Sequence, residues 1–250
     1  MAAAFFLRTA VTGTTLLADR IIVPSQGTQQ ELSRRFLGRK SKTVVIPNGI
    51  DKSAVKQAIK SPIHDSGLPS YQRYPLICAV ARLAPEKNLQ LLLEAICRVI
   101  KQLPVRLIIL GDGPERRQLE ATVNAWQLTE TVSLIGYRDN VYPYLAQADL
   151  FIHTCLFEGF GYTLLEAMAC GTPVIATDCP YGPREIIGDS EYGVLVPAHD
   201  PEKLANAILQ LLKDDQARER YSTIGIRRAE ELSIERMIRS YERVLTELAG

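Results

Sequence analysis

Short runs of Val, Ile and Leu alternate with helix-length amphipathic stretches from Pro75 onward, and this alternation dictates the fold class. The runs are Leu76–Val80, Val105–Leu110, Val132–Ile135, Leu150–Ile152 and Pro173–Ala176. The periodic stretches fall near residues 88–102, 115–127, 141–147 and 162–169. Strand, helix, strand in repetition predicts an α/β parallel sheet with helices on both faces. Runs that are apolar throughout, rather than at every second residue, suit strands covered on both sides. Ligands of such sheets bind beyond the carboxyl ends of the strands.

Bulk properties exclude several other classes. The 250 residues are 46% hydrophobic and 23% charged with a net charge of +1, which gives no global attraction to nucleic acid. Five cysteines (Cys78, Cys97, Cys155, Cys170, Cys179) form no C-x-x-C pair and sit mostly in apolar runs. They are expected to be reduced core residues of a cytoplasmic protein rather than a disulfide or zinc framework. No stretch approaches the length of a membrane span. The opening Met1-Ala-Ala-Ala-Phe-Phe-Leu is too short, and lacks the positive lead-in, for a secretory signal. At most a peripheral membrane contact is expected.

The chain divides unevenly. Residues 1–47 form a different unit: a helical stretch leads to Asp19-Arg20-Ile-Ile-Val-Pro-Ser25, a strand followed by a cap and a helix to about Leu37, and then a second short strand at Thr43–Pro47. Residues 48–74 are read as a linker, with a polar, Pro- and Gly-rich loop over 61–74. Residues 75–232 carry the repeated strand–helix pattern, and 233–250 hold a charged amphipathic helix that either docks on the sheet or crosses back to pack against the first unit.

The chemistry gathers where the strand at Leu150–Ile152 gives way to a helix. Glu158 and Glu166 bracket Gly159-Phe160-Gly161, seven residues lying between the two acids. A glycine turn at a helix N-terminus presents backbone N–H groups to an anion such as phosphate. Carboxylates beside phosphate would repel it unless they grip hydroxyls at the two ends of one ligand. A ribose and a sugar flanking a diphosphate meet that demand. Arg82 and Lys87 surround another helix start, at Pro85-Glu86, where cations oppose the helix dipole but suit a diphosphate. Gly111-Asp-Gly-Pro-Glu-Arg permits a tight turn after the second strand, either as architecture or as close approach to a ligand. It is not a G-x-G-x-x-G fingerprint, because Arg116 stands where glycine is needed, which disfavours a dinucleotide-dependent oxidoreductase. His153, inside an apolar strand, reads as a core residue; His64 and His199 read as loop residues. The basic run Arg34–Lys42 reads as a solvated helix end rather than a lipid contact. No D-x-D pair or His/Asp/Glu cluster at ligand spacing is evident, so no metal is expected.

The stretch Glu158-Gly-Phe-Gly-Tyr-Thr-Leu-Leu-Glu166, followed by Gly171-Thr-Pro-Val, resembles the E-x7-E signature of retaining family 4 glycosyltransferases, which have the GT-B fold. Residues 18–25 and 45–51 are similar to the end of the family's N-terminal domain, so the resemblance covers nearly the whole chain. It implies a Rossmann-like donor-binding domain, the C-terminal half of GT-B, with a remnant of the acceptor-side domain at residues 1–47. It implies that Arg82, Lys87 and Glu158 serve catalysis, the cations neutralising the leaving phosphates and Glu158 holding the transferred sugar. Glu166 would hold the ribose, the Gly159, Phe160 and Gly161 amides the diphosphate, and Gly111, Tyr137 and Arg138 would flank the nucleotide. Pro180-Tyr-Gly-Pro-Arg-Glu-Ile187 resembles a segment of bacterial members that use UDP-sugars in lipopolysaccharide and polysaccharide synthesis. Within it Glu185 either caps a helix or faces the sugar, and Arg184 either serves the site or forms a structural pair. The implied reaction is transfer from a UDP-sugar, without cofactor or metal, to a hydroxyl of a glycan or lipid-linked acceptor, with retention. Most of the first domain would then be supplied separately, by another chain. The alternatives are a non-catalytic sugar-nucleotide-binding module or an inactive truncated fragment.

Overall fold

The computed structural model describes residues 17–35, 42–63 and 74–249. The helical stretch expected before Asp19, the centre of the basic run at 36–41, His64 and most of the 61–74 loop lie outside them. A six-stranded, wholly parallel sheet forms the body, in the order β5-β4-β3-β6-β7-β8. Its strands are β3 (Leu76–Val80), β4 (Arg106–Leu110), β5 (Val132–Gly136), β6 (Leu150–His153), β7 (Val174–Asp178) and β8 (Val194–Pro197). The five expected strands are thus present. The sixth, β8, follows Gly193 at the sheet edge.

Alternate residues of each central strand feed two separate cores. Ile77, Ala79, Leu107, Ile109, Leu150 and Ile152 face one cluster with helices α3 (Leu89–Val99) and α8 (Pro201–Lys213). Their neighbours Leu76, Cys78, Ile108, Leu110 and Phe151 face the other, with α5 (Tyr142–Gln147) and α6 (Tyr162–Ala169). Both sets are buried, which is why the runs are apolar at every position rather than every second one. In α3, Leu89, Leu92, Leu93 and Ile96 are fully buried at helical spacing.

In the N-terminal stretch, β1 (Ile21–Val23) and β2 (Thr43–Val45) pair in parallel in their own two-stranded sheet, joined by α1 (Gln26–Arg35). The stretch read as a linker contains a helix, α2 (Lys52–Ala58), whose first turn is capped by the Asp51 carboxylate accepting from the Ala54 amide at 2.9 Å. Ile50 pairs with the chain around Ser233, so both connections to the body run side by side. After β5, α4 (Arg116–Ala125) having preceded it, the chain passes through α5, α6 and α7 (Gly182–Ile187) to α8 and α9 (Asp215–Glu231). The last helix is α10 (Ile234–Ala249). Only Val244 is buried, and Ile238, Tyr241, Leu245 and Leu248 form an apolar stripe that remains exposed among the described residues.

Strand order reverses between β3 and β6: β4 and β5 extend to one side, β7 and β8 to the other. This switch point opens a crevice at the carboxyl ends of β3 and β6. The loops that leave those two strands carry the charged residues singled out above.

Candidate functional site

Three loops are stitched together over the crevice. The Leu83 amide donates to the Asp112 carbonyl at 2.9 Å, the Gly111 amide to the Gly136 carbonyl at 2.9 Å, and the Leu156 amide to the Glu86 carbonyl at 2.8 Å. The Thr154 hydroxyl donates to the Lys87 carbonyl at 2.8 Å. Gly111 is required by this stitching: its φ is +127° and a Cβ there would lie 1.9 Å from the Ala81 carbonyl oxygen. Of the two readings of Gly111, the architectural one has a direct structural cause.

Two adjoining cavities open along the crevice. One, of about 320 Å³, is walled by Arg82, Lys87, His153, Cys155, Glu158, Tyr162 and Thr163, among others. The other, of about 430 Å³, is walled by Gly111, Asp112, Tyr137, Arg138 and Val141. Val80, Ala81, Arg82 and Thr163 line both, so the two form one trough across the ends of β3, β4, β5 and β6. The trough thereby brings together six expected residues: Arg82, Lys87, Gly111, Tyr137, Arg138 and Glu158. Thr163, in the first turn of α6, was passed over in the sequence although its position just after the glycine turn was a usable signal.

Lys87 and Glu158 form the central pair, Nζ to Oε2 at 2.6 Å, each side chain 22% exposed. Beneath them, His153 Nε2 lies 3.6 Å from the same oxygen and 3.2 Å from Cys155 Sγ. The His153 ring and then Lys87 hold the Glu158 carboxyl down at about 2, against the cost of its burial. Burial works against the Lys87 charge, but the hydrogen bond to Glu158 and the charge of Glu158, together with Cys155, jointly outweigh it and raise the ammonium's pKa. Burial lowers the pKa of His153, keeping the ring neutral, as expected of a core histidine. Arg82 is largely exposed over the trough and pairs with Glu86 one helical turn away.

The backbone of Glu158 is clamped. Its amide donates to the Pro180 carbonyl at 2.7 Å, and its carbonyl accepts from the Tyr181 and Gly182 amides at 2.9 and 3.0 Å. The GFG turn follows, with Gly161 at φ +92° as the cap of α6. Phe160 is 6% exposed and packs in the core, and its backbone lies against Gly182, where a Cβ would sit 2.1 Å from the Phe160 carbonyl oxygen. A Cβ on Gly159 would meet nothing within 4 Å.

Glu166 stands apart from the trough lining. Its carboxylate accepts a hydrogen bond from the Tyr142 hydroxyl at 3.1 Å, and burial pushes its pKa up. Tyr142, 24 positions away in sequence, adjoins Val141 in the trough wall; no spacing signal linked it to Glu166. Glu185 and Arg184 lie outside the trough. The Glu185 carboxylate accepts from the Gln26 and Gly27 amides at 2.8 Å each, capping α1, and Arg184 pairs with Asp178 and Asp189.

Among the described residues, His153, Cys155 and Glu158 are the group whose ligating atoms approach closely enough for a metal ion, all within 4.8 Å. The spacing His-x-Cys-x-x-Glu carried this grouping, but a cysteine read as core packing hid it. No helix among the described residues is long and apolar enough to cross a membrane.

Residues 44–228 match the family of glycosyl transferases group 1. The chain belongs to that family, and its sheet is the Rossmann-like half of the GT-B fold. It is 32% identical over 212 residues to the N-acetylgalactosamine-N,N'-diacetylbacillosaminyl-diphospho-undecaprenol 4-alpha-N-acetylgalactosaminyltransferase of Campylobacter jejuni, covering 85% of this chain and 56% of that protein. It is 34% identical over 233 residues to a phosphatidyl-myo-inositol mannosyltransferase of Mycobacterium leprae, covering 86% and 58%. The crystal structure of Anabaena HepE in complex with UDP and glucose superposes with a TM-score of 0.87 at 25% identity, over 96% of this chain and 66% of that one. The chain therefore spans less than two thirds of the length of each of these relatives.

Proposed function

We propose that the trough binds a nucleoside-diphosphate sugar, UDP-linked, and that the chain serves transfer of the sugar to a hydroxyl of a glycan or lipid-linked acceptor with retention. The observation that carries this reading is the convergence of Arg82, Lys87 and Glu158 on one side of the trough with Gly111, Tyr137 and Arg138 on the other. Their separation suits a diphosphate with a sugar at one end and a nucleoside at the other. A crystallised structural neighbour holding UDP and glucose supports the same donor class.

In this reading the uracil and ribose occupy the Gly111–Arg138 side, with Glu166 and Tyr142 behind the ribose. The diphosphate lies across Arg82, Lys87 and the amides at the start of α6. Lys87 is the residue that must change partners. Without donor its charge is neutralised by Glu158; with donor it is shared with the phosphates, and Glu158 is released to accept from sugar hydroxyls. Charge-assisted contacts of this kind are worth roughly 1.5–3 kcal/mol each, and their catalytic value lies in meeting the charge that grows on the leaving phosphate. The bond from the anomeric carbon to the phosphate oxygen breaks and the acceptor oxygen takes its place on the same face. The acceptor's proton passes to a phosphate oxygen of the departing UDP. The acceptor is expected to be held by a domain equivalent to the part of the relatives this chain does not span.

The test is a thermal-shift titration with UDP, UDP-sugars, GDP and NAD, in which a binder raises the melting temperature by mass action. UDP and a UDP-sugar should stabilise the protein, and Glu166→Ala should weaken both. Stabilisation by NAD instead, or an unchanged UDP affinity in Glu166→Ala, overturns the donor class or the ribose assignment respectively.

A further inference from the structure

We propose that His153, Cys155 and Glu158 form a three-ligand site for zinc in the floor of the trough, and that zinc bound there blocks the donor site. The edges of the ligand triangle are 3.2 Å from His153 Nε2 to Cys155 Sγ, 3.6 Å from His153 Nε2 to Glu158 Oε2, and 3.7 Å from Cys155 Sγ to Glu158 Oε2. Tetrahedral zinc with bonds of about 2.0–2.3 Å places its ligand atoms roughly 3.4–3.6 Å apart. The three atoms therefore already stand close to one face of such a tetrahedron, and the trough leaves the fourth position to water. One nitrogen, one sulfur and one oxygen select a borderline-soft cation over magnesium or calcium, which take oxygen ligands.

The charge balance fits this ion. His153 is buried, and an imidazole ligates in its neutral form. Cys155 is a buried thiol and must release its proton to solvent when zinc binds. Zinc plus one thiolate carries a net single positive charge, the same as the Lys87 ammonium it would displace from Glu158. The carboxylate exchanges one cation for another of equal net charge, and Lys87 turns into the trough. His153 Nδ1, buried without a hydrogen-bond partner, lacks the acceptor that usually orients a metal-bound imidazole, so the site is weaker than a structural zinc site. That suits a reversible, inhibitory ion rather than one needed for folding.

Metal binding stands without the donor assignment; only the blocking of donor rests on that reading, and two assays separate them. In the first, metal-stripped protein is titrated with zinc against a chromophoric chelator and, separately, with cobalt. Expected are one equivalent bound, one proton released, and a tetrahedral cobalt spectrum with a thiolate-to-metal charge-transfer band. Loss of an outer-shell partner alone costs about 10–100-fold in affinity, so Cys155→Ser should cost at least tenfold and abolish the band. Lys87→Ala, which removes the competing cation, should raise zinc affinity. An octahedral cobalt spectrum without charge transfer, or zinc affinity unchanged in a folded Cys155→Ser, overturns the site; the cobalt spectrum of the unsubstituted protein decides the matter even if that variant fails to fold. In the second assay, one equivalent of zinc should abolish the UDP-sugar thermal shift. Zinc bound at the site with that shift intact overturns the blocking, whereas a protein that never responds to any sugar nucleotide overturns the donor reading and leaves the metal site standing.

Discussion

Replacing Glu158 by glutamine should destabilise the protein because it removes the carboxylate that the His153 ring and Lys87 both hold in its charged form. The carboxyl sits at about 2 instead of its ordinary 4.5, a difference that corresponds to roughly 3 kcal/mol of preferential stabilisation of the charged form. Both side chains keep 22% of their surface in contact with solvent, so screening reduces this to about 2–3 kcal/mol. For a domain of this size about 1 kcal/mol moves the melting temperature by about 2–4 °C, so Glu158→Gln should melt about 5–10 °C lower at neutral pH. Because the folded carboxyl lies below its unfolded value, the contribution is full above pH 4.5 and is lost as pH falls through about 2. The gap between the native protein and the variant should therefore close on acidification. Differential scanning calorimetry across pH 2.5–7, with Lys87→Met and the double variant, completes a cycle. The double variant should lose less than the two single losses combined. Strictly additive losses would refute the share that Lys87 contributes, and a Glu158→Gln that melts with the native protein at pH 7 would refute the stabilised carboxylate itself.

Three other outcomes follow from the same geometry. Gly111→Ala should lower stability by on the order of 1–3 kcal/mol or more, read by urea denaturation, since its Cβ meets the Ala81 carbonyl; an unchanged midpoint would mean the glycine serves ligand approach alone. Glu158→Ala should weaken UDP-sugar more than free UDP in calorimetric titrations, and equal losses would remove it from the sugar. Glu185→Ala uncaps α1 and should cost about 1 kcal/mol with little change in UDP affinity; a large affinity loss would place Glu185 at the sugar instead.

The sheet was readable because each central strand is buried on both faces, leaving Leu76–Val80 and Val105–Leu110 apolar throughout. The acids around the GFG turn were readable because a glycine at positive φ, a strand end and a helix start leave a joint local signature. What escaped depends on contacts distant in sequence. Lys87 meets Glu158 across 71 positions, and Tyr142 meets Glu166 across 24. Cys155 was absorbed into the core reading because its burial and its nearness to Glu158 have the same apolar context. The helix at Lys52–Ala58 was lost because one buried residue, Val55, gives no period to detect.

The GFG turn is yoked from behind to the N-terminal layer. Glu185 grips the first amides of α1, and one step along that helix the Thr28 hydroxyl donates to the Gly159 carbonyl at 3.3 Å. Gly27 presses so closely on Tyr181 that a Cβ would sit 2.4 Å from that side chain, and Tyr181 in turn holds the Glu158 backbone. A tilt of the small β1–β2 layer is thus carried through Gly27 and Tyr181 to the backbone of Glu158, whose carboxylate lines the trough.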